Sequence, residues 1–156
     1  MPAVSVHSNA IEQIKNSASL VDVSSAESIE LTPVLVLAVS LLYMMSSDGQ
    51  VEEEESSQLQ SVIGGNADLL SYAVACVQRV PVEEFLKKAP TVLSTQDKLC
   101  ILTNVCDSML SDGRREQAEL ELLEKMQKAF GVSTETFKPY YKVIQLKNDK
   151  TVLGPF

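Results

Sequence analysis

Four carboxylates recur at a fixed offset in this chain of 156 residues. Asp48 and Glu55 stand seven residues apart, and Asp112 and Glu119 repeat that spacing 64 positions later. Their neighbours repeat with them. Met45-Ser46-Ser47-Asp48-Gly49 aligns with Met109-Leu110-Ser111-Asp112-Gly113, Glu52 with Glu116, and Leu59 with Leu123. Oxygen donors of this kind suit a hard divalent cation: Ca²⁺, Mg²⁺ or Mn²⁺. Glu52 and Glu116 are secondary candidates at a second repeated position. Asp107 is another, in a polar stripe with Asn104, Ser108 and Ser111.

A plainer reading explains the same residues. Asp-Gly is a common tight-turn pair, and a Glu in the first turn of a helix is favoured by the helix dipole alone. Helical phase separates the acids further. Glu55 precedes Leu59, Val62 and Ile63 at helical spacing, and Glu119 precedes Leu123, Met126 and Phe130. Both therefore prolong an apolar stripe at its N-terminal end. A carboxylate turned inward is costly unless a dipole, backbone N–H groups, a base or a cation offsets it. Glu53 and Glu54 fall on a solvated face with Ser57, Gln58, Gln60 and Ser61. Glu121 and Glu124 stand four residues before Lys125 and Lys128, the spacing of surface ion pairs. The segment Asp48–Glu55 lacks the alternating acids of an EF-hand loop.

The rest of the composition narrows the chemistry. The one histidine is His7, which excludes histidine triads, His-based acid–base schemes and HExxH zinc sites. Cys76, Cys100 and Cys106 form no CxxC pair and sit among apolar residues, so they read as buried, reduced thiols. There is no Gly-rich phosphate loop and no nucleophile beside a base, which argues against an enzyme. A metal-assisted hydrolase using paired carboxylates ranks behind the non-catalytic readings.

Thirteen Lys and Arg against 21 Asp and Glu give a net charge of −8, the wrong sign for nucleic acid or an anionic lipid surface. Residues 1–78 hold 10 acids and one base, and residues 79–156 hold 11 acids and 12 bases. The N-terminus has no charged n-region followed by an apolar stretch, so it does not read as a signal peptide. The longest apolar run, Pro33–Met45, is shorter than the ~20 residues that span a bilayer, and it reads as a buried helix. A cytoplasmic protein without membrane insertion is expected.

The elements that position the acids are helices. Thr32-Pro33 marks a helix start, with Thr as N-cap and Pro at the first position, and the helix runs to about Ser47. Helices are then predicted over Glu52–Ile63, Leu69–Val77 behind Asn66 or Asp68, and Val82–Lys88 between Pro81 and Pro90. Ser94 with Asp97 forms a capping box for Thr95–Ser111. Arg115–Phe130 ends at Gly131, and Ser133 caps a last helix to about Leu146. A short helix fits Ala10–Ser17, Ser24–Glu30 reads as capping material, and no useful strand alternation appears. The expected architecture is all-α: seven or eight helices, with two related helical hairpin units in a pseudo-two-fold arrangement. The chain divides into an N-terminal extension with a short helix (1–30), a helical domain (31–147) and a loose tail (148–156).

The phrases LLYMMSSDGQVEEEESSQL and VCDSMLSDGRREQAELELL resemble the tellurite-resistance TerB family, over roughly Thr32 to Leu146. The resemblance implies an all-helical fold of two related units, and a cytoplasmic role in resistance to tellurite and other stress. It implies a metal-binding site at the motif acids, here Asp48, Glu55, Asp112 and Glu119. It also implies work inside membrane-associated complexes with other stress-resistance proteins. A homo-oligomer stays open, as does a metal-free helical adaptor.

Overall fold

The computed structural model describes residues 20–22, 28–46, 59–61, 64, 66–111 and 117–155. The architecture is all-α. Among the described residues there are six α-helices: α1 (Pro33–Met45), α2 (Ala67–Arg79), α3 (Val82–Lys88), α4 (Thr95–Ser111), α5 (Gln117–Ala129) and α6 (Thr134–Asn148). Residues 59–61 are helical, with Leu59 buried. Two 3-10 turns, Ala89–Val92 and Lys150–Leu153, follow α3 and α6.

The helix starts follow from local chemistry. Leu35 N donates to Thr32 Oγ1 at 3.3 Å, and Pro33 occupies the first turn, where a missing N–H costs nothing. Leu31 and Val36 flank that cap at the positions of a hydrophobic staple, and both are buried. Asn66 caps α2 through Leu69 N, so Asn66 and not Asp68 is the cap. Ser94 and Asp97 exchange hydrogen bonds at 2.9 and 3.0 Å, the reciprocal pairing of a capping box. Ser133 Oγ accepts from Thr136 N to start α6. At the end of α5, Val132 N donates to Gln127 O and Gly131 N to Lys128 O, both at 3.1 Å, while Gly131 takes φ 69°. This is a Schellman ending, and only glycine adopts its positive φ without strain.

The core is built around α1, whose Leu35, Val36, Ala38, Val39, Leu41 and Met44 are all buried. A helix apolar on nearly every side must be surrounded. Accordingly α1 packs against α2 and α4, and α4 packs in turn against α5 and α6. The first helices of the two sequence repeats, α1 and α4, thus lie side by side.

Four expectations change. Leu20–Asp22 and Ser28–Glu30 form an antiparallel pair of strands, β1 and β2, with Leu20 opposite Glu30. Three residues a side are too few for an alternation to show. Cys100 is exposed, whereas Cys76 and Cys106 are buried. Cys100 lies on the outer face of α4 with Asn104, whose Nδ2 donates to Cys100 O at 2.9 Å. Lys125 reaches Glu83 on α3 at 3.4 Å, across the fold and not along its own helix. The first long helix ends at Met45, where Ser46 Oγ donates to Leu42 O at 2.7 Å. The helix expected over 10–17 and most of that over 52–63 lie outside the described residues. The pseudo-two-fold relation involves the latter.

Candidate functional site

Of the seven acids singled out by spacing, Glu119 and Asp107 lie among the described residues. Asp48, Glu52, Glu55, Asp112 and Glu116 lie outside them.

Glu119 sits in the first turn of α5 and is buried, at 8 % exposure. It continues the stripe of Leu123, Met126 and Phe130, each also buried, as its phase requires. Among the described residues it is the one charged side chain in the core, where Ser40 is the other polar member. Its position at the helix N-terminus puts the carboxylate at the positive end of the α5 dipole. Glu121 and Glu124, two and five residues further along α5, are exposed.

The start of α5 faces the end of α1. Tyr43 from α1, Ser46 at its C-cap, Val82 from α3, and Ala118, Glu121, Leu122 and Lys125 from α5 line one cleft of about 300 Å³. Ser46 is two residues before Asp48, and Ala118 is one before Glu119. The chain therefore leaves α1, at Ser46, beside the helix that carries the last acid of the second motif.

Tyr43 fixes this end of α1. Its hydroxyl donates to the carbonyl of Val80, and its ring meets Phe85 at a 5.5 Å centroid distance and 50° tilt. Burial pushes the Tyr43 hydroxyl above its ordinary pKa, aided by the nearby Cys76, Glu83 and Glu84. Burial alone raises the Cys76 thiol to about 11. Glu83 stands below the usual carboxylate value because its own backbone N–H at the start of α3 binds it, with Lys125 adding to the effect. Tyr43 is a wall residue that motif spacing missed. Its signal was chemical: it is the one aromatic in the apolar run Pro33–Met45, and its hydroxyl needs a hydrogen-bond partner there.

Asp107 has a different setting. Both its oxygens accept from Lys147 Nζ at 2.9 Å, and Oδ1 also accepts from Asn148 Nδ2 at 2.8 Å. Asn148 in turn donates to Ile144 O at 3.0 Å. The carboxylate ties α4 to the end of α6. Among the described residues, no three His, Cys, Asp or Glu side chains gather into a metal-binding group.

A family model of tellurite resistance protein TerB matches residues 34–140. The chain belongs to the TerB family. The match runs from the first turn of α1 to the middle of α6 and contains both Asp-Gly motifs of this TerB chain. No curated protein and no solved structure matches it. No helix of the described residues is long and apolar enough to cross a membrane.

Proposed function

We propose that this TerB-family chain is a non-catalytic module of a cytoplasmic stress response, binding a divalent cation and acting within a complex of resistance proteins. Asp48, Glu55, Asp112 and Glu119 would hold the cation. The buried carboxylate of Glu119 carries the reading. An acid in the core, at the pole where α1 ends and α5 begins, is placed to serve as one carboxylate donor to a divalent cation. The donor set is all carboxylate, which favours Ca²⁺, Mg²⁺ or Mn²⁺ over the softer metals. The family membership supports the link to tellurite resistance.

The cation supplies positive charge and a fixed geometry. Each of the two motifs would supply one Asp and one Glu, seven residues apart in the sequence. Binding to the folded state alone stabilises it by about 2.7 kcal/mol at 100-fold excess over Kd. Thermal melting in Ca²⁺, Mg²⁺ or Mn²⁺ is therefore expected to rise for the intact chain. The rise is lost in Glu119→Gln and kept in Glu124→Gln, whose side chain is exposed and lies outside the cleft between α1 and α5. Melting that no cation moves would sink the site and leave a metal-free helical adaptor.

A further inference from the structure

The last helix carries an apolar stripe on its outside. Phe137 and Ile144 bury the inner face of α6. Helical spacing brings Pro139, Val143 and Leu146 together on the opposite face. Val143 is 67 % exposed and Leu146 62 %. The exposure continues past the helix, where Val152 and Leu153 stand out from the final 3-10 turn. Scattered exposed apolar residues need no explanation, but an aligned set facing solvent marks an interaction surface.

The charge beside the stripe says what covers it. Lys138 and Lys142 stand exposed along one edge, and Lys147 along the other. From Thr134 to Lys150 there are four lysines and two acids, Glu135 and Asp149. In a chain of net charge −8 this is a local reversal of sign. A second copy of the same helix would set lysines against lysines. An anionic bilayer would meet the acidic surplus of the rest of the chain. A protein segment with carboxylates beside apolar residues meets neither objection. The stripe residues Val143 and Leu146 also lie beyond the family match, which ends at residue 140.

We propose that the outer face of α6 docks an acidic amphipathic helix of a partner protein. Its apolar residues cover Val143 and Leu146, and its carboxylates meet Lys138 and Lys142. This rests on the complex-forming part of the proposed function and is independent of the cation.

The probe is a synthetic amphipathic peptide with leucines at three- and four-residue spacing flanked by glutamates, titrated into the full chain. Binding is expected to weaken with salt. It should fall about tenfold or more in Val143→Glu/Leu146→Glu and in Lys138→Glu/Lys142→Glu, with circular dichroism unchanged because all four positions are exposed. A peptide with lysines in place of the glutamates should bind the lysine-reversed variant better than the parent. Binding that ignores both double substitutions overturns the assignment. So does capture by phosphatidylglycerol vesicles without peptide binding, or a dimer that Val143→Glu/Leu146→Glu dissolves. If the Val143→Glu/Leu146→Glu chain still co-purifies with its cellular partners, the docking face is wrong but complex membership stands. If the parent chain co-purifies with none, membership itself fails.

Discussion

Glu119 and Asp107 are two carboxylates twelve positions apart, on neighbouring helices, and they meet opposite fates. Asp107 lies at the border of α4, where Lys147 and Asn148 reach it from α6. Its charge is answered by a cation of the chain itself, and the outcome is a clamp between two helices. Glu119 lies on the apolar stripe of α5 and is drawn into the core by the residues that follow it. The face each acid occupies on its own helix therefore separates a structural acid from a candidate ligand. The lesson is that an acid's sequence neighbours say less about its role than the face it occupies and the charge waiting across from it.

That contrast can be broken at several strengths. Phe85→Ala should be the most severe, because Phe85 is fully buried and its ring packs on Tyr43 beside the pole. Removing a buried Phe costs about 3–5 kcal/mol, readable as a lower urea midpoint. Loss of the clamp should come next. Asp107→Ala removes charge-assisted bonds to a half-exposed lysine, so about 1–2 kcal/mol is expected from chemical denaturation. Its cation response should match the parent's, and a lost response would place Asp107 in the site after all. The mildest effect is acidic. Glu83 has a folded pKa below its ordinary 4.5, so its contribution is full above that value and fades as pH falls through the folded pKa. Glu83→Gln should melt like the parent at neutral pH and show a shallower loss of stability below about pH 4.5. An unchanged acid limb would discount both the backbone N–H bond and the Lys125 contact.

Much of the helical framework was legible, for a physical reason. Caps at Thr32, Ser94, Asp97 and Ser133 act over three residues, so type and spacing suffice to name them. The all-round burial of α1 followed from an apolar run with a single serine in it. The inward phase of Glu119 followed from Leu123, Met126 and Phe130. Elsewhere local pattern misled. Cys100 has apolar neighbours in the chain but lies on the outer face of α4. Lys125 had Glu121 four residues before it and took Glu83, 42 residues away.

The sequence by itself determined where α1, α3, α4 and α6 begin, which faces are apolar, and that four acids repeat in one register. These depend on backbone hydrogen bonds and side-chain period within a few residues. Only the tertiary structure decided that α1 ends beside the start of α5, that Asp107 belongs to Lys147, and that Val143 and Leu146 on the far side of α6 are exposed. Those outcomes depend on how helices pack, and packing brings together charges and surfaces 40 or more residues apart along the chain. No local period encodes which of them will meet.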